Sequence, residues 1–167
     1  LIAEEGIRAL GVSLPAVVAR PDDLDARAQA LYGAWLAGTC LGAVSIALHH
    51  KLCHTLGGTF NLPHAETHTI VLPHAAAYNA AAAPEAMARV ARALRVERAA
   101  SGLWDLARRL GAKTALRDLG LPEDALDRAA DLAAESPYPN PAPITRQGIR
   151  ALLQDAADDV WVLDVSL

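Results

Sequence analysis

Apolar positions recur at helical rather than strand spacing along most of the chain. Ile7, Leu10, Leu14 and Val17 lie on one face of an opening helix, and Pro15 inside that pattern predicts a kink or a division. Pro21-Asp22-Asp23 reads as a turn followed by a helix start, with acidic residues suited to the first turn. A long apolar helix is then predicted from about Asp23 to Leu48. Gly57-Gly58 and Asn61 to Pro63 are loop signals in the stretch from His49 to His64. Further helices are predicted from about Ala65 to Asn79, Pro84 to Val96, Gly102 to Leu110, Pro122 to Glu135 and Thr145 to Asp158. The run from Pro137 to Pro143 predicts a stiff, extended connector, and Val160 to Leu167 a short apolar tail or strand.

Composition agrees with an all-α fold: Ala and Leu dominate, and stretches rich in Val, Ile and Thr are few. The 167 residues suffice for a domain with a core of its own. The net charge of −4 with interspersed signs speaks against a nucleic-acid binder. Two cysteines, Cys40 and Cys53, suggest no disulfide framework, and with an N-terminus charged at Glu4 and Glu5 the expectation is a cytoplasmic protein. Residues 28–50 carry no formal charge and contain a G-x-x-x-G step at Gly38 and Gly42, a pattern shared with membrane helices. Gln29, Thr39, Ser45 and the closing His pair favour instead a buried central helix that uses its glycines for close packing; no membrane partner is expected.

All six histidines fall between His49 and His74. Imidazole is the side chain best suited to bind a divalent metal or move a proton near neutral pH. His50 and His54 are four apart, as are His64 and His68, so each pair shares a face where the chain is helical. The first pair lacks the internal Glu of the H-E-x-x-H metalloprotease pattern, and Glu66 is the sole carboxylate in the stretch. Two or three histidines leave a metal short of ligands, so spacing alone names neither metal nor reaction.

The runs Gly33-Ala34-Trp35-Leu36-Ala37-Gly38-Thr39-Cys40-Leu41-Gly42, Leu48-His49-His50-Lys51-Leu52-Cys53-His54-Thr55-Leu56-Gly57-Gly58-Thr59-Phe60 and Leu62-Pro63-His64-Ala65-Glu66-Thr67-His68 resemble the signature of the maleylacetate reductases, members of the iron-containing alcohol dehydrogenase superfamily. His50, His54, Gly57, Pro63 and His64 match the wider superfamily pattern, and the likeness continues to about Ala156. The resemblance implies an all-α, helical-bundle domain over 1–157, with 158–167 a divergent tail. It implies a dinucleotide-binding α/β domain that should precede Leu1 and has no counterpart here: no strand leads into a Gly-rich phosphate turn.

The function so implied is the helical half of an enzyme that reduces maleylacetate to 3-oxoadipate with NADH or NADPH, in aromatic degradation. Hydride transfer is not expected from this half alone. The implied partners are a small dicarboxylate substrate, the missing domain and a second copy in a homodimer. His50 and His64 match two ligands of a divalent metal such as Fe or Zn, whose upstream Asp/His pair lies outside the chain. His54 matches a proton donor or relay, and Lys51 is the candidate for attracting a substrate carboxylate. His49, His68 and His74 stand behind them, with His68 a candidate to orient His64. Two other readings start from the same residues: a stand-alone domain recruited as a cofactor-free lyase, isomerase or cyclase, and a non-catalytic interaction domain. Cys53 reads as a small buried residue, since nothing nearby in sequence activates a thiol.

Overall fold

The computed structural model describes residues 1–135 and 138–161, all of them helix, turn or connector, with no strand among them. Eight α-helices follow in order: α1 Ile2–Ala19, α2 Leu24–Ala43, α3 Leu48–Phe60, α4 His64–Asn79, α5 Pro84–Leu94, α6 Ala99–Arg109, α7 Ala125–Ala134 and α8 Arg146–Ala157. A short 3-10 turn spans Leu116–Leu119. The described residues fall into two compact units. One comprises 1–45 and 84–111, the other 46–83 and the residues from 112 onward.

In the first unit, α1 packs on α2 and α5, and α5 on α6. Pro15 lies inside α1 without dividing it. Asp23 starts α2 as predicted, its carboxylate accepting the backbone N–H of Ala26 at 3.0 Å. The helices α1 and α2 meet at glycines. A methyl on Gly33 would come within 2.8 Å of Leu10 Cγ, and one on Gly6 within 3.2 Å of Leu36 Cβ.

That close packing was expected, but α2 as a whole is not the buried central helix the sequence suggests. Gly33 and Leu36 are buried, whereas Leu31 is 72% and Trp35 65% exposed, and nothing lies within 4 Å of where Gly38 or Gly42 would carry a Cβ. The apolar residues of α2 are spread around its circumference, so a single neighbouring helix can cover only one side. The helix also ends earlier than predicted, at Ala43, and 44–47 separate it from α3. Among the described residues no single helix is long and apolar enough to cross a membrane.

The second unit holds the larger core: Leu48, Leu52 and Leu56 of α3, Ile70 and Val71 of α4, Leu116, Leu126 of α7, and Ile149 and Leu153 of α8, each at most 2% exposed. The leucines at 48, 52 and 56 explain the main departure from the predicted elements. The His49–His64 stretch is helical as far as Phe60, straight through Gly57-Gly58. Glycine inside a helix costs about 1 kcal/mol relative to alanine. Three fully buried leucines in one stripe outweigh that, at about 1.5–3 kcal/mol each. The stop comes at Asn61, which adopts the left-handed conformation (φ 54°) that Asn tolerates best after Gly.

The connector from Tyr138 to Thr145 is irregular and bends at Pro141 and Ala142 rather than running straight, and it is anchored to the end of α4; Pro137 of the predicted run lies outside the described residues. Asn140 Nδ2 donates to Asn79 Oδ1 at 2.7 Å, Asn79 Nδ2 donates to Asn140 Oδ1 at 3.2 Å, and the Ala142 backbone N–H donates to Asn79 Oδ1 at 3.1 Å. The Tyr78 hydroxyl donates to the Pro143 carbonyl at 2.7 Å. Thr145 caps α8 by accepting from the Gly148 N–H at 3.0 Å. Of the predicted tail, Asp158 pairs with Arg117 at 2.6 Å, and 162–167 lie outside the described residues.

Candidate active site

The Asn61 turn folds α3 and α4 into a hairpin of two helices joined by three residues. Each step of one helical turn back along α3 is matched by one step forward along α4. The hairpin thus sets His54 beside His64 and His50 beside His68, with ring centroids 6.2 and 4.8 Å apart. His49 joins from the same end of α3, 5.3 Å from His50 and 4.8 Å from His68. His50 and His54 are 6.0 Å apart and His64 and His68 4.2 Å. Five imidazoles therefore form one continuous patch. His74, the sixth, lies two turns farther along α4, 5% exposed, with its ring centroid 5.8 Å from that of Trp161.

Within the patch the rings differ in environment. His54 and His64 are exposed, while His49, His50 and His68 are half-buried. His49 donates from Nε2 to the backbone carbonyl of His68 at 3.0 Å, the only role that nitrogen can take toward a carbonyl. Burial lowers the pKa of His49 and, aided by the neighbouring His54 and His64, that of His50. His68 is driven down to about 4, first by burial and then by the four imidazoles around it. Burial thus favours the uncharged form of these three rings. His68 Nε2 is buried and has no hydrogen-bond partner among the described residues. Lys51 turns its ammonium over the ring of Tyr138, 5.7 Å from the centroid, a residue the sequence offered only as part of the connector. Cys53 is buried in the core beneath the patch, and its thiol is pushed up to about 12.

Two measurements check these environments. In the native chain Ellman's reagent is expected to titrate Cys40, which is half-exposed, and to reach Cys53 only after denaturation. The second concerns acid. His74 is also held down to about 4 by burial. A group whose folded pKa is depressed from 6.5 binds fewer protons folded than unfolded, so stability declines as pH falls from about 6.5 and levels off below about 4. His74 alone is expected to remove about 2 kcal/mol by pH 5, at about 1.36 kcal/mol per unit. The half-buried Asp155, whose carboxyl burial raises, acts in the opposite sense at the acid end. Urea unfolding at pH 7 and pH 5 reads the difference, and His74→Phe is expected to flatten it.

Comparison with known proteins shows the family. Residues 1–157 match the model of the C-terminal part of the Fe-containing alcohol dehydrogenase family. The chain belongs to that family. It is 60% identical over 160 residues to a maleylacetate reductase of Burkholderia cepacia, covering 96% of this chain and 46% of the relative. It is likewise 60% identical over 158 residues to a maleylacetate reductase of Sphingobium indicum, covering 95% and 45%. The crystal structure of maleylacetate reductase from Agrobacterium tumefaciens superposes with a TM-score of 0.91 at 53% identity, over 94% of this chain and 45% of that one. The chain thus spans about half the length of the curated relatives it matches, and what it shares with them is the C-terminal helical domain. The family match reaches across both compact units, so the exposed side of α2 belongs to it as well as the histidine hairpin.

Sequence spacing alone paired His50 with His54 and His64 with His68. The pairs across the hairpin, His50 with His68 and His54 with His64, were legible in principle from two i,i+4 pairs flanking an Asn-x-Pro turn. Tyr138 carried no comparable signal, being 87 residues from Lys51 in the chain.

Proposed function

We propose that this chain is the substrate-binding helical half of a maleylacetate reductase, completed by a dinucleotide-binding half like the one the family resemblance implies, and that it performs no hydride transfer by itself. The observation that carries the proposal is the hairpin of five imidazoles with Lys51 beside it, in a chain 60% identical to maleylacetate reductases. Closely spaced imidazoles, with the buried His68 Nε2 unpartnered among the described residues, are a nitrogen donor set that suits a zinc- or iron-class ion.

When bound, NADH or NADPH supplies the hydride, and a divalent ion at His50 and His64 supplies Lewis acidity. The rest falls to this chain's own side chains. Reduction of a conjugated keto acid builds negative charge on an oxygen, which imidazole N–H groups of the patch can receive by hydrogen bonding. His54, exposed at the rim, is suited to deliver the proton. Lys51 attracts one carboxylate of the dicarboxylate substrate, and the ring of Tyr138 holds the ammonium in a defined place. A homodimer and a cytoplasmic setting belong to the same reading.

The test is reconstitution. Joined to the dinucleotide-binding half of a maleylacetate reductase, the chain is expected to oxidise NADH in the presence of maleylacetate. Alone, it is expected neither to turn over nor to bind NADH saturably. Saturable NADH binding by residues 1–167, or a folded reconstituted enzyme inert toward maleylacetate, overturns the reading.

A further inference from the structure

We propose that the cavity between the later turns of α4 and α8 is a ligand site of its own, and that it takes a small organic cation, an ammonium group on an apolar body of about one ring. The cavity holds about 300 Å³, at the small end of the range for ligand pockets. His74 and Tyr78 of α4, Gly148, Leu152 and Asp155 of α8, and Trp161 beyond α8 line it. None of the five imidazoles of the hairpin is among its lining residues.

Three features of the cavity favour a cation. First, Asp155 is half-buried, and among the described residues its carboxylate has neither an ion pair nor a hydrogen bond. Burial pushes that carboxyl up, and the charge of Asp158, itself held by Arg117 at 2.6 Å, adds to the effect. A carboxylate that has lost water without gaining a cation is stabilised by a ligand that brings one. Second, two aromatic side chains share the cavity with it, and ring faces attract cations. The Tyr78 hydroxyl is already used, donating to the Pro143 carbonyl at 2.7 Å and accepting the Thr145 N–H at 3.4 Å, so its ring is what remains for a ligand. Gly148 makes room for that ring, since a methyl there would come within 2.9 Å of Tyr78 Cε2. Third, no lining residue opposes a positive charge. His74, held down to about 4 by burial, carries no charge near neutral pH, and the buried Leu152 offers an apolar wall. A dicarboxylate is disfavoured here, because it would set like charge against Asp155.

The inference does not depend on the reaction proposed above, because it is read without nucleotide, metal or maleylacetate. Purified residues 1–167 are titrated at pH 7 with benzylamine, which is protonated there, in a calorimeter and by tryptophan fluorescence. One equivalent is expected to bind. Benzoate, with the same ring and the opposite charge, is expected to bind at least about tenfold more weakly. Asp155→Asn keeps the shape of the side chain and removes its charge, and is expected to weaken benzylamine binding by about tenfold or more. Trp161→Ala is expected to weaken it by about threefold or more. Circular dichroism of each variant establishes that the loss occurs in a folded chain. No saturable binding by about 10 mM benzylamine overturns the proposal. So does benzoate binding as tightly as benzylamine, or an affinity for benzylamine unchanged in Asp155→Asn.

Discussion

Replacing His54 with alanine in the reconstituted enzyme is expected to lower kcat with maleylacetate and NADH by about 10²–10⁴-fold, the usual worth of a positioned general acid. His54 is exposed on α3, 6.0 Å from His50 and 6.2 Å from His64 by ring centroids. It makes none of the described hydrogen bonds that hold the hairpin, and the leucines on either side of it, Leu52 and Leu56, carry the packing of that turn. The substitution should therefore leave folding nearly untouched, within about 0.5 kcal/mol as for ordinary surface changes. A KM close to that of the parent protein, with kcat alone reduced, is the signature of a proton donor. Unchanged turnover removes His54 from that role.

The largest effect on stability is expected from Asn79→Ala. The Asn79 side chain donates to Asn140 and to the Ala75 carbonyl, and accepts from the Asn140 amide and the Ala142 backbone N–H. Removing it deletes four bonds and strands the Ala142 N–H in a half-buried setting, a loss of about 3–4 kcal/mol. For a chain of 167 residues that lowers the melting temperature by roughly 10 °C. Asn79→Asp separates the terms, because a carboxylate still accepts from Asn140 and Ala142 but cannot donate. It is expected to fall between alanine and the parent protein. A melting temperature unaltered by alanine would show that the connector is held by its prolines alone.

This clasp illustrates a limit of reading along the chain. Asn79 and Asn140 look like two ordinary helix-end and connector residues, and 61 positions separate them. The proline run from 139 to 143 was legible as a non-helical connector, since proline fixes its own φ and lacks an N–H. What it is fastened to was not, because that depends on where α4 ends in space. The glycines show the same division. Gly57-Gly58 signals a loop by intrinsic preference, but three buried leucines in α3 keep the helix going, and Asn61 ends it instead. The Gly38–Gly42 step suggests close packing, yet it faces open space while Gly33, in the same helix, makes the contact with α1.

The sequence by itself determined the helical class, most of the helices to within a few residues, the stretch that holds the chemistry and the family, because helical periodicity, caps and motif residues are local properties of the chain. Which imidazoles meet was decided only by the tertiary structure. Spacing of four places His50 and His54 on one face, but His50 meets His68 because the Asn61 turn and the buried apolar stripes of α3 and α4 set the register of one helix against the other. The neutral state of His68 is likewise a tertiary property. Burial and four neighbouring rings impose it, and none of those forces acts on the ring in an unfolded chain.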